Sequence, residues 1–92
     1  MKTTLTISDI FEAIEKTEYV VLAGTTTTVC VLTLVNGFVV TGTSACAEPK
    51  NFNQAEGEKF AFEKACDEVW KLEGYLLRQR LHERMQIPLF QG

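Results

Sequence analysis

The chain has 92 residues, 46% of them hydrophobic, and a formal charge of −3. One domain is the expectation at this length, and the apolar content argues against disorder. The acidic balance argues against non-specific nucleic-acid binding, which needs a basic surface.

The charge is uneven. Residues 75–92 carry Arg78, Arg80 and Arg84 against Glu83 alone, whereas residues 1–46 hold two lysines and four acids. A small anionic ligand can use such a local basic cluster even on an acidic chain. Three cysteines, Cys30, Cys46 and Cys66, are odd in number and match no zinc spacing. They read as structural thiols in a reducing compartment, and no metal or cofactor is expected. No signal-peptide pattern opens the chain and no apolar run approaches the ~20 residues of a membrane span, so a cytoplasmic protein is expected.

In chain order, Ser8 is a candidate N-cap and Ile10, Phe11 and Ile14 form a short apolar stripe, which predicts a helix over 8–16. Tyr19 to Leu22 is a β-rich run that stops at Ala23-Gly24. Thr25 to Val35 is nearly all Thr, Val and Leu, and Phe38 to Thr43 follows Asn36-Gly37. Asn-Gly between β-branched runs predicts a hairpin with a two-residue type I′ turn. That register pairs Val35 with Phe38, Leu34 with Val39 and Thr33 with Val40. No charge occurs between Gly24 and Cys46, so both faces of the hairpin are apolar. Sheets of this kind are covered on both sides; the chain's helices supply one cover and a partner subunit is expected to supply the other, which predicts a homo-oligomer.

Pro49 takes residues 48–53 out of the sheet. Asn53 with Glu56 resembles a capping box and starts a helix from about Gln54 to Trp70. Its predicted buried stripe is Phe62, Ala65, Cys66, Val69 and Trp70. Gly57 inside it marks close packing of the backbone. Leu72-Glu73-Gly74 reads as a break, Tyr75 to Arg84 as a further helix, and Pro88 as its stop. The fold class is α+β: a small antiparallel sheet, an N-terminal helix and two C-terminal helices.

Catalytic signals are weak. His82 lies between arginine-bearing turns with no nucleophile in its pattern. The acids of residues 56–73 interleave with Lys59, Lys64 and Lys71 as on a solvated helix face. Gly24 and Gly42 belong to no phosphate-loop pattern. The reading is therefore a binding protein and no enzyme. The residue types suited to an anionic, planar ligand are Ser44, Asn51, Phe52, Tyr75, Arg78 and Arg80: Arg forks match phosphates, rings stack on bases, and Ser and Asn bond ribose or base edges.

Four segments together carry a family resemblance. They are Gly24-Thr25-Thr26-x-Thr28-Val29-Cys30-Val31-Leu32; Leu34-x-Asn36-Gly37-Phe38-x-Val40-x-Gly42-x-Ser44-Ala45; Asn51-Phe52-Asn53; and Trp70-x-Leu72-Glu73-Gly74-Tyr75-Leu76-Leu77. Over roughly residues 19–81 the chain resembles the small phage accessory proteins that include the Thoeris anti-defence sponges. The resemblance implies sequestration of a cyclic nucleotide immune signal, such as a cyclic ADP-ribose isomer, without catalysis in an infected bacterium. A phage accessory protein that binds and inhibits a host protein is the alternative.

Overall fold

The computed structural model describes residues 3–91, with side chains through Met85. The order is helix α1 (Ile7–Ala13), strands β1 (Ile14–Val21), β2 (Thr27–Leu34) and β3 (Val39–Ala45), a 3-10 turn at Pro49–Asn51, and helix α2 (Gln54–Gln91). The strands form one antiparallel sheet in the order β1-β2-β3. The class is α+β, as the sequence predicts, with one long C-terminal helix in place of two.

The start of α1 differs from the predicted cap at Ser8. Thr6 is the N-cap: its hydroxyl accepts from Asp9 N (3.3 Å), and Asp9 Oδ2 accepts from Thr6 N (2.8 Å). This reciprocal box satisfies two helix-end donors. The helix ends at Ala13, and Ile14 already has extended backbone. Residues 14–18, predicted helical through Lys16, instead open strand β1. Pairing with β2 overrides the poor strand propensity of Glu15, Lys16 and Glu18, and the register shifts between Ile14 and Lys16. The charged residues sit on an edge strand, where they discourage pairing with other chains.

The β2–β3 register is also not the predicted one. Thr33 pairs with Val39, Leu32 with Val40, Val31 with Thr41 and Cys30 with Gly42, one residue away from the two-residue-turn alignment. Leu34 N donates to Phe38 O and Gly37 N to Leu34 O, both at 2.8 Å, so the loop is Val35-Asn36-Gly37. Among the described residues only glycines have positive φ, Gly37 at 89° and Gly24 at 76°. A type I′ turn needs positive φ at both centres, whereas a three-residue loop needs only one left-handed residue, which Gly37 supplies. Asn36 Oδ1 instead accepts from Phe38 N at 3.0 Å.

The alignment decides which face is buried. Thr28, Cys30, Leu32 and Leu34 of β2 and Val40 and Gly42 of β3 all lie under α2 and are buried, while Val29, Val31, Val39, Thr41 and Thr43 lie on the face that α1 and α2 leave open. The core joins these residues to Ala61, Ala65 and Val69 of α2 and Ile10 and Ala13 of α1. The buried row of α2 is thus spaced by four, with Phe62 and Cys66 beside it. Trp70, predicted to be inside, is 37% exposed.

Two glycines let helix and sheet approach. A Cβ on Gly42 would lie 2.2 Å from Ala65 N and 2.4 Å from Ala61 O, so β3 touches the backbone of α2 there. A Cβ on Gly57 would lie 2.6 Å from Thr28 Oγ1, which bears out the close packing predicted at Gly57. Asn53 Oδ1 accepts from Glu56 N at 3.1 Å, as its predicted cap role requires. The Thr28 hydroxyl is fully buried and has no hydrogen-bond partner among the described residues. Such a group costs about 1–3 kcal/mol. Replacing Thr28 with the near-isosteric Val is therefore expected to stabilise the fold by about 1 kcal/mol, measured by chemical denaturation.

Helix α2 runs unbroken through Gly74, where the sequence predicts a break, and continues past Pro88, the predicted stop. A lone helical glycine costs roughly 1 kcal/mol relative to Ala, too little to break a helix already anchored on the sheet at residues 61–69. Thirty-eight residues at 1.5 Å each make a rod of about 57 Å, which accounts for most of the 67 Å length of a molecule only 21 Å and 19 Å across.

Candidate functional site

The six candidate ligand residues fall into two groups. Ser44, Asn51 and Phe52 meet where the end of β3, the 3-10 turn and the first turns of α2 converge, around a cavity of about 70 Å³ that Thr26, Asn53 and Phe60 also line. This is well below the ~300 Å³ of ordinary small-molecule sites. Two hydroxyls there are also already engaged. Ser44 Oγ donates to Gly57 O at 2.7 Å, tying β3 to α2, and Thr26 Oγ1 donates to Cys46 O. Glu48 caps the 3-10 turn by accepting from Lys50 N at 3.4 Å.

Tyr75, Arg78 and Arg80 lie on α2, eighteen and more residues beyond Gly57, or about 27 Å up the helix axis. One chain therefore does not bring the two groups together. Tyr75 is 74% exposed, and Arg78, three residues on, is exposed on the same helix flank. Arg80 points into a cleft of about 340 Å³ whose lining includes Asp9, Glu12 and Glu73 as well as Leu5, Ala13, Val35 and Leu77. With Asp9 already bonded to Thr6, the Glu12 and Glu73 carboxyl groups still outnumber the one guanidinium in this lining. The cleft suits a cation better than a phosphate.

A second concavity of about 340 Å³ lies between α1 and α2 and is mostly apolar: Ile7, Ile10, Phe11, Phe62, Cys66 and Trp70, rimmed by Lys59, Glu63 and Asp67. The Phe11 and Phe62 rings stack at its floor with centroids 6.2 Å apart. Sequence reasoning placed Phe11 and Trp70 on buried stripes and did not find this groove; their excess over what α1 and α2 can cover was the available signal.

All three cysteines are free thiols. Burial, with Cys66 and Glu58 adding to it, pushes the Cys30 thiol up from 9.0 to about 11. Burial likewise raises Cys66, with Asp67 and Glu63 nearby, and Tyr19 on the adjoining strand. These shifts keep the groups neutral and unreactive. Because the folded Cys30 pKa lies above its ordinary value, its contribution to stability is complete below pH 9 and is lost as pH rises through about 11. Urea titrations at pH 8 and pH 11 are expected to show a smaller loss of stability for Cys30→Ala than for the parent. Thiol reagents at pH 8 are expected to leave Cys30 unlabelled until the chain unfolds.

His82 is an exposed side chain on α2. The described residues contain no group of three or more His, Cys, Asp or Glu arranged to hold a metal, and no described helix is long and apolar enough to cross a membrane.

The model of the phage protein (N4 Gp49/phage Sf6 gene 66) family matches residues 5–81. The chain belongs to this family of phage proteins. No curated protein and no solved structure matches it. The matched span of the Gp49/gene 66 family includes α1, the whole sheet and α2 as far as Leu81, and with them both groups of candidate residues, the apolar groove and the acidic cleft.

Proposed function

We propose that this phage protein is a sponge that holds a cyclic nucleotide immune signal, such as a cyclic ADP-ribose isomer, in the cytoplasm of an infected bacterium and does not turn it over. The observation that carries the reading is the pair Tyr75 and Arg78, exposed side by side on α2 within a segment that resembles the Thoeris anti-defence proteins. The guanidinium fork matches a phosphate and the ring supplies a stacking platform for adenine. A second copy of the chain completes the site, since the flank of one helix encloses nothing. Capture is stoichiometric: free signal falls once protein exceeds the dissociation constant, and the immune effector stays off.

The test is retention and release. The purified protein is incubated with cyclic ADP-ribose, desalted and heat-denatured, and the supernatant is chromatographed. Intact nucleotide in fixed proportion to protein is the expected result. Failure to retain it removes the reading, and a chemically altered nucleotide would make the protein an enzyme.

The open sheet face favours a second reading, binding and inhibition of a host protein. Val20 and Val39 are about half exposed there, and a β-branched surface without a cover is a docking surface in many proteins. Retention of nucleotide by the protein alone favours the first reading over this one.

A further inference from the structure

The far half of α2 has features that one copy of the chain leaves unexplained. Trp70, Gly74, Leu77 and Leu81 recur at spacings of four, three and four, the spacing of a helix–helix seam. The row continues, on the same side of α2, from the apolar groove that Cys66 and Trp70 line beside α1. Gly74 lies in this row, and a Cβ there would meet nothing within 4 Å. Within one chain the glycine costs helix stability and no contact requires it. At the crossing of two helices it lets the backbones approach closely.

The charges specify the direction. Residues 56–73 of α2 carry six acids and three lysines, while residues 75–85 carry three arginines and one acid. Parallel helices would set like against like, and antiparallel helices set acid against base. The heptad Glu63, Trp70, Leu77, Arg84 is self-complementary about a point between Glu73 and Gly74. When one copy is reversed onto the other, Glu63 lies at the level of Arg84, Trp70 at the level of Leu77, and the two Gly74 residues adjoin.

We infer that two copies of this chain pair through antiparallel α2 helices crossing at Gly74, each seating Leu81 on the apolar α1–α2 groove of the other. The pairing also gathers Lys71, itself bound to Glu68 at 2.8 Å, and Arg78 of both copies along one flank. That cluster is where the nucleotide of the proposed function would lie. In this respect the inference adds to that reading, but the pairing does not depend on a ligand.

Sedimentation equilibrium without nucleotide tests it, so failure here is distinct from failure of nucleotide capture. The parent is expected at twice 10.3 kDa at micromolar concentration. Glu63 and Arg84 are exposed, so reversing their charge leaves the fold intact. Glu63→Arg alone and Arg84→Glu alone are each expected to raise the dimer dissociation constant at least tenfold, and the two together to restore it to within threefold of the parent. Leu81→Glu is expected to give a folded monomer by circular dichroism. A parent that is monomeric at 100 µM overturns the inference. So does a dimer indifferent to these substitutions, which would place the interface on the open sheet face, and so does a double reversal that fails to recover pairing.

Discussion

Gly42→Ala is expected to destabilise the protein by about 3 kcal/mol, the upper end of ordinary overpacking. The reason is what the added carbon would touch. The nearest atoms are Ala65 N at 2.2 Å and Ala61 O at 2.4 Å, both backbone, with the carbonyl carbon of Lys64 at 2.8 Å. A flexible side chain can swing aside, but these atoms belong to hydrogen-bonded turns of α2. Relief requires the whole helix to lift off β3, which separates Ala61 and Ala65 from Leu32 and Val40 and opens the core. In a domain of this size each kcal/mol lowers the melting temperature by roughly 4–8 °C, so a drop of about 12–24 °C is expected by circular dichroism. Thr43→Ala, one residue on and on the open face, is the control and is expected to change stability by less than about 1 kcal/mol. Equal losses for the two would mean that α2 does not rest on Gly42.

The same contact explains how much of the fold is legible in the sequence. Strands β2 and β3 are visible in their Thr and Val runs, the cap of α2 in Asn53 and Glu56, and the close approach at Gly57 in a glycine that helix propensity disfavours. The hairpin register is not legible locally. Asn36-Gly37 serves a two-residue loop and a three-residue loop alike, and the choice falls to the face that must pack. With Thr33 opposite Val39, the residues Cys30, Leu32, Leu34, Val40 and Gly42 share one side, and the glycine falls where the helix crosses. The two-residue register would set Val31 opposite Gly42 and spoil that alignment.

Strand β1 is hidden for another reason. Glu15, Lys16 and Glu18 carry no strand signal of their own and are extended because β2 offers a partner edge, while their charges protect the exposed edge. Gly74 misled in the opposite direction. Read alone it ends a helix, but α2 is held on the sheet by Ala61, Ala65 and Val69 and carries through. The candidate ligand residues are legible in the sequence only as chemical types. Type cannot say that Ser44 is bonded to Gly57, or that Arg80 faces the carboxyl groups of α1. Those facts follow from the angle at which α1 and β3 meet one long helix.

These placements separate the two arginines, and calorimetry is expected to show it. Arg78→Ala should weaken cyclic ADP-ribose binding at least thirtyfold, while Arg80→Ala should change it by less than about threefold; at ~1.4 kcal/mol per tenfold these are roughly 2 and 0.7 kcal/mol. Arg is the side chain best fitted to bidentate phosphate recognition, and removing one partner of an enclosed charged contact costs about 2–5 kcal/mol. Arg78 is exposed beside Tyr75 and makes no ion pair among the described residues, so its fork is available and its stacking partner is one helical turn away. Arg80 shares its cleft with Asp9, Glu12 and Glu73. A phosphate entering there would meet the Glu12 and Glu73 carboxyl groups beside the one guanidinium, and these carboxylates would compete for the same donors. Tyr75→Ala should lose affinity with Arg78→Ala and Tyr75→Phe should not, since the ring and not the hydroxyl makes the contact. If Arg78→Ala binds as tightly as the parent, the proposed site on α2 is wrong. If Arg80→Ala alone abolishes binding, the phosphate enters the cleft beside α1, against the field of its carboxyl groups.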